Sequence, residues 1–217
     1  MEENMSKETY DTLYYYDEEG EIGYDLSEVM LLDNVNDTDR IHKLVQLLSS
    51  DDKEIIYQAI LILVSWNKKE GFSKLQQFIN ERWDNIENFD PHRIYGRDMV
   101  YDKFSHALKI SVFNGNTETQ LMPYINRFLE LYHEVFFESF FKDLLLSLNT
   151  LNLYLAEIEK AVLKTVKAGE PYQASQLFPV LVKADRSYFE KYKVFFEDLS
   201  LKDDRIVYNI EEAQKFL

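Results

Sequence analysis

The chain has 217 residues, of which 46% are hydrophobic and 15% aromatic, enough to fill one good core or two small ones. It contains no cysteine, which excludes disulfides, thiolate metal sites and cysteine nucleophiles. Its formal net charge of -15 disfavours direct binding to nucleic acid and would attract a basic protein, although solubility alone could also account for it.

The composition also indicates the fold class. Six Gly and four Pro are few for the tight turns of a β-sandwich or barrel, while Leu, Glu, Lys and Ile occur in long periodic blocks. The first residues have no apolar signal region, and the most apolar run, residues 55–66, is far short of the ~20 residues that a bilayer requires. We therefore predict an all-α fold, no membrane segment and a cytoplasmic location.

Residues 1–37 differ from the rest of the chain. Residues 1–40 hold 13 Asp and Glu against 2 Lys and Arg, a net of -11, so the acidity lies mostly at one end. Residues 14–24 mix tyrosines with acids and two glycines, which favours an extended arm or a small hairpin. A purely solvating tail would have few aromatics. We therefore predict that residues 1–37 form an acidic arm or small hairpin whose tyrosines pack on the core or on a partner, with one helical turn over residues 27–32.

Residues 38–66 contain the most regular pattern in the chain. Two apolar faces at helical spacing, in residues 41–48 and 55–64, are separated by an acidic turn. In this turn Asp51 is placed to act as an N-cap, and Glu54 is placed to reach back as in a capping box. The pattern predicts two short antiparallel helices, the unit from which helical solenoids are stacked.

The same alternation of apolar faces and breaks continues to the end of the chain, and it predicts helices at 70–83, 97–112, 118–132, 133–148, 151–168, 172–184, 187–199 and 208–217. Residues 38–217 are thus predicted to form a single helical-repeat domain, an α-α superhelix of stacked antiparallel helix pairs. The predicted core includes Ile60, Leu63, Leu75, Phe78, Leu108, Phe128, Phe140, Leu144, Leu155 and Leu181.

Catalytic constellations are weak throughout. Glu130 and His133 have the spacing of a di-iron bundle motif, but that chemistry requires a second motif and two further carboxylates. Asp102 and His106 could share a helix face, yet one histidine and one carboxylate do not make a zinc site. No nucleophile elbow or phosphate-binding loop is present. We expect no catalytic residue, metal or cofactor, and an enzyme built on distant carboxylates remains a third alternative.

The helix–Ser-Ser-Asp-Asp-Lys-Glu–helix pattern of residues 41–64 resembles a HEAT-type repeat, which implies a HEAT-like or armadillo-like stack. In size, acidity and lack of cysteine, the chain is similar to bacterial immunity proteins of polymorphic toxin systems. That resemblance implies a protein that binds and inactivates a cognate toxin domain.

Two functions from different classes follow. In the first, the chain is an immunity protein that neutralises a basic toxin, such as a nuclease, by charge complementarity. In the second, it is an intracellular scaffold or adaptor that receives a peptide or helix on a concave helical surface. The irregular segment 84–96 is longer than the usual ~4 to 6 residues of a connection, and such loops often carry function. We predict that the partner is bound by Tyr14, Tyr15, Tyr16, Asp17, Glu18, Glu19, Glu21, Asp84, Glu87, Asp90 and Tyr95.

Overall fold

The computed structural model describes residues 5–14, 26–31 and 35–217. Within these ranges every regular element is helical, and the β-pairing consists of one isolated bridge between Pro91 and Asp98. The α-helices are α1 Lys7–Leu13, α2 Leu26–Met30, α3 Thr38–Leu47, α4 Lys53–Ser65, α5 Lys69–Glu81, α6 Val100–Phe113, α7 Glu118–Leu131, α8 Phe140–Ser147, α9 Leu155–Lys167, α10 Pro171–Ser175, α11 Phe178–Ala184, α12 Ser187–Ser200 and α13 Ile206–Gln214. Two 3-10 turns lie at Trp83–Asn85 and Leu151–Tyr154. The prediction of an all-α fold is confirmed.

The helices divide between two compact units. One comprises Met1–Phe89 with His106–Thr117, and the other comprises Asp90–Ser105 with Glu118–Leu217. Both contain packed helix pairs, which is compatible with a helical repeat. The single domain over 38–217 stays a prediction.

Helix α4 forms the core of the first unit. It packs against α1, α2, α3 and α5, and nine of its thirteen residues are buried. The indole of Trp66, just after α4, donates to the carbonyl of Val29 at 3.0 Å. Gly71 lets α5 approach α4 closely, because a Cβ at this position would lie 2.6 Å from the Cβ of Leu63. The apolar pattern of residues 55–64 therefore brings α1, α2, α3 and α5 together around one helix.

The cap of α4 differs from the prediction. Asp52, and not Asp51, is the N-cap, and its Oδ1 accepts from the backbone N–H of Glu54 at 2.9 Å. The N–H of Asp52 donates to Oγ of Ser50 at 3.1 Å, and the side chain of Glu54 accepts from Gln58 at 3.1 Å, one turn further along the helix. The predicted turn is acidic as expected, but the helix begins one residue later.

The second unit has an aromatic core. The rings of Tyr101, Phe128, Tyr132, Phe137 and Phe141 form a continuous cluster with centroid separations from 4.9 to 6.4 Å. All five side chains are almost fully buried. Aromatic pairs in tilted and edge-on geometry add to the free energy gained by burial.

The predicted helix 133–148 begins only at Phe140, so the prediction of helix for residues 133–139 is wrong. The side chain of Gln173 is the physical reason. Its amide nitrogen donates to the carbonyls of Tyr132 and Val135 at 2.6 and 2.9 Å, and its oxygen accepts from the N–H of Phe137 at 3.1 Å. These backbone groups are satisfied without a helical ladder.

Other element boundaries also differ. The predicted helix 172–184 is two helices, because Pro179 has no N–H to donate and takes a first-turn position in α11. Helix α1, capped by the hydroxyl of Ser6, lies in a segment for which no helix was predicted. Eight of the ten predicted core residues are buried, whereas Phe140 and Leu155 are half-buried because each is the first residue of its helix. In the described ranges, no helix combines the length and the apolar character that crossing a membrane requires.

A candidate interaction surface on the hairpin loop

Residues 90–99, called the hairpin loop from here on, form a tight and well-bonded structure in the second unit. The Pro91–Asp98 bridge brings its two ends together. The N–H of His92 donates to the carbonyl of Arg97 at 2.8 Å, and the N–H of Met99 donates to the carbonyl of Asp90 at 2.9 Å. Gly96 takes φ +63, a left-handed conformation in which glycine is not strained. The backbone of this loop is therefore defined by its own hydrogen bonds.

Two side chains inside the hairpin loop support its turns. Nδ1 of His92 accepts from the backbone N–H groups of Ile94 and Tyr95, both at 3.2 Å. Oδ1 of Asp98 accepts from the N–H groups of Asp90 and Val100, both at 3.0 Å, so it also caps the start of α6. The tip of the loop, residues 93–95, is thus held by a ring nitrogen in the way that an Asx turn is held by an oxygen.

Aromatic rings and an arginine pack on one side of the hairpin loop. The ring of Tyr95 stacks on that of His92 at 4.8 Å, and Phe136 meets both rings in tilted or edge-on geometry at 6.0 and 5.6 Å. The guanidinium of Arg97 lies 5.0 Å from the Phe136 centroid and forms a 2.8 Å ion pair with Glu170. Nε2 of His92 lies 3.5 Å from Oε1 of Glu138.

A second arginine supports the tip from another part of the chain. Arg205 stacks over the ring of Tyr172 at 4.2 Å and donates to the hydroxyl of Tyr95 at 2.7 Å. It also forms a two-point ion pair with Asp203, with distances of 2.8 and 2.6 Å. Hydrogen bonding to Asp203 raises the pKa of Arg205, and the same bonds lower the pKa of Asp203. Both groups are therefore charged throughout the physiological pH range.

The tip points its remaining side chains to solvent. Ile94 is 80% exposed, Tyr95 is 52% exposed, and Arg93 is exposed. Among the residues that the structure describes, Arg93 forms no ion pair. Tyrosine is one of the residue types enriched where binding energy concentrates in protein interfaces. We use the name loop surface for the hairpin loop together with Phe136, Glu138, Glu170, Tyr172, Asp203 and Arg205. The loop surface can therefore present a rigid contact area to a protein.

The predicted partner-binding residues fall in different places. Tyr95 is central to the loop surface, and Asp90 lies at its base, 3.8 Å from the Nζ of Lys103. In the first unit, Glu87 is exposed, whereas the Asp84 side chain is only 7% exposed and pairs with Arg82 at 3.0 Å. Asp84 is therefore occupied within its own unit. The prediction for these residues remains to be tested by binding.

Of the N-terminal residues predicted to bind the partner, only Tyr14 is described. Its ring stacks on Tyr10 at 4.6 Å, and its hydroxyl donates to Gln58 at 3.3 Å. Its carbonyl accepts from Arg40 at 2.8 Å. Tyr14 therefore packs on its own unit. The others lie outside the described residues: Tyr15, Tyr16, Asp17, Glu18, Glu19 and Glu21.

The loop surface includes residues that sequence reasoning missed. Phe136 lies in a segment that is predicted to be helical, and no sequence pattern singles out Tyr172 or Arg205. Arg205 lies 110 positions from Tyr95, and no local pattern indicates that the two would meet. The exposed Arg93-Ile94-Tyr95 run inside a long loop is the one local signal available.

Asp102, one of the carboxylates in the weak constellations, has a structural role. Oδ1 and Oδ2 of the fully buried Asp102 accept from the N–H groups of Phe141 and Ser139 at 3.0 and 3.3 Å, which caps the start of α8. Burial raises the pKa of Asp102 to about 6, although these N–H groups favour the charged form. His133 lies 3.6 Å from Glu134. Over the described residues, no three His, Asp or Glu side chains come together in a way that could hold a metal ion.

No protein-family model, curated protein or solved structure matches this chain.

Proposed function

We propose that this chain is a non-catalytic protein-binding module that neutralises a basic protein in the cytoplasm, as a bacterial immunity protein neutralises a toxin such as a nuclease. The observation that carries the binding role is the loop surface, where stacked aromatic rings and arginines hold an exposed tip in one conformation. Rigid contact residues lose little conformational entropy on binding, so more of the interaction free energy appears as affinity.

The charge of the chain supports a basic partner. The formal net charge is -15, and residues 1–40 account for -11 of it. Such a field accelerates association with a positively charged protein and repels phosphate backbones. In this proposal the acidic N-terminal residues steer the partner, and the loop surface contributes the close contacts.

The proposal is tested with the tagged full-length chain as bait in native lysate, followed by purification of the captured protein. We expect a basic protein whose association rate falls as salt is raised from ~50 to ~500 mM, because the screening length shortens severalfold over that range. Reversing Glu18 and Glu19 to lysine should slow association further. Capture of an acidic protein, or an association rate that is independent of salt, would contradict the proposal.

A charge-matched control separates local steering from total charge. Glu157 and Glu190 are exposed residues on α9 and α12, and reversing both to lysine changes the net charge by the same amount. We expect this double variant to slow association less than Glu18→Lys with Glu19→Lys does. Equal effects would mean that only the total charge matters, and that the acidic N-terminal residues have no special position in the complex.

A groove in the first unit favours the adaptor as a second candidate function. An open cavity of about 430 Å³ lies along α3 and α5, and it is lined by Val45, Leu48, Ser49, Lys69, Glu70, Ser73, Lys74 and Gln77. A groove lined by the apolar Val45 and Leu48 together with polar and charged side chains can receive an amphipathic helix. Val45→Glu, if it abolished binding of the captured protein while Ile94→Ala had no effect, would favour this second function.

A further inference from the structure

The aliphatic side chain of Ile94 is exposed to solvent, whereas its backbone is held by a hydrogen bond. It is 80% exposed, yet its own N–H and that of Tyr95 both donate to Nδ1 of His92. An exposed aliphatic side chain on a floppy segment would have to be ordered on binding. At this tip the backbone is already ordered in the free protein, so little conformational entropy is lost on binding. An anchor residue of an interface requires this order.

The hydrogen bonds from the N–H groups of Ile94 and Tyr95 require Nδ1 of His92 as their acceptor. Because Nδ1 accepts two backbone hydrogen bonds, it carries no proton, and the ring proton is on Nε2, which faces Glu138. The ring of His92 is also stacked against Tyr95, whose hydroxyl accepts from Arg205. Tyr95, next to Ile94, is thus held both through its backbone N–H and through its ring.

The geometry points to Ile94 as the anchor that inserts into an apolar pocket of the partner, with His92 as the residue that positions it. This inference rests on the proposed function for the partner's charge, namely a basic protein attracted by a chain of net charge -15. Arg93 is adjacent to the anchor and then lies near the rim of the partner's pocket. The effect of removing Arg93 therefore shows whether that rim is basic or acidic. Against a basic rim, removing this arginine relieves repulsion.

The first experiment places a photo-crosslinking amino acid at position 94 of the full-length chain, with a matched copy at position 153. Leu153 is a suitable control because it is also an exposed aliphatic residue, at 59%, in the same unit. We expect position 94 to crosslink a basic protein in native lysate and position 153 not to crosslink that protein. Equal crosslinking from both positions overturns the inference.

Binding of the purified crosslinked protein then tests the two roles. Ile94→Ala should weaken affinity at least about tenfold, as truncation of an anchor does, while Leu153→Ala should stay within about twofold. His92→Ala should weaken affinity about three- to tenfold by loosening the tip. His92→Asn should restore most of the loss, because an asparagine oxygen accepts the same N–H groups in an Asx turn. An Ile94→Ala variant within twofold of wild type overturns the anchor role, and equal losses in both His92 variants overturn the positioning role.

Arg93→Ala distinguishes failure of this inference from failure of the proposed function. With a basic pocket rim, the association rate should hold or rise; a rate that falls severalfold indicates an acidic rim and contradicts the charge assignment. If Ile94→Ala is neutral but binding to the basic protein still weakens with salt, the proposed function stands and the anchor inference is wrong.

Discussion

Gly71→Ala should destabilise the first unit, although alanine is the better helix former. The added Cβ would lie 2.6 Å from the Cβ of Leu63 and 2.9 Å from the backbone atoms Leu63 C and Val64 N. Carbon atoms in contact prefer about 3.5 to 4.0 Å, so α5 would have to move away from α4 by roughly 1 Å. Backbone atoms of a buried helix cannot rotate aside as a flexible side chain can.

The magnitude follows from two opposing effects. Overpacking of a closely packed core costs about 1 to 3 kcal/mol, and the backbone clash favours the upper end of that range. The higher helix propensity of alanine returns about 1 kcal/mol. We therefore expect a net loss of about 2 kcal/mol in the free energy of unfolding, which corresponds to a decrease in Tm of about 4 to 8 °C for a chain of this size.

Thermal unfolding followed by circular dichroism at 222 nm measures the effect. Ser73→Ala is the matched control, because this position is exposed on the same helix and gains helix propensity without a clash. Its Tm should be unchanged or slightly raised. A Gly71→Ala variant as stable as wild type would show that α4 and α5 are not as close as the structure places them.

Three further changes test other parts of the fold. The pKa of Asp102 is raised in the folded state, from 3.8 to about 6, so the folded protein binds more protons than the unfolded chain between these values, and stability falls as pH rises through them. Between pH ~4.5 and ~7.5, the free energy of unfolding in urea should fall by about 2 kcal/mol more for wild type than for Asp102→Asn. Parallel pH profiles of the free energy of unfolding in the two proteins would refute this. Gln173→Ala should lower the free energy of unfolding by about 3 kcal/mol, since two buried backbone groups and one part-buried group lose their partner, whereas the exposed Gln214→Ala should change it by less than about 0.5 kcal/mol. Leu63→Ala should cost about 2 to 5 kcal/mol in denaturant unfolding, against well under ~1 for Lys68→Ala, and equal small effects would contradict the assigned helix face.

The parts of the fold that could be predicted from sequence are those with local causes. Helices α3, α4 and α5 follow from the apolar spacing and polar breaks of residues 38–81, and their observed bounds lie close to the predicted ones. The gap before α8 has a distant cause, because Gln173 satisfies backbone groups about 40 positions earlier in the chain. No periodicity in residues 133–139 carries that information.

The candidate site divides in the same way. The unusual length and composition of segment 84–96 single it out, and Tyr95 lies where a contact residue would be expected. The supports of the tip could not be read from the sequence, because Phe136, Tyr172 and Arg205 come from three separate segments that only folding brings to His92 and Tyr95. A pattern of spacing detects neighbours along one helix, not the stacking of an arginine on a ring 33 positions away.

Hydrogen–deuterium exchange of the full-length chain, with and without the captured basic protein, measures the claimed interface most directly. In the complex, we predict slower exchange of the backbone amides in peptides that cover residues 90–99, and of those that cover residues 1–40. Peptides from α9 should exchange at the same rate in both states. Protection elsewhere in the chain, with unchanged exchange in residues 90–99, would contradict a binding role for the loop surface.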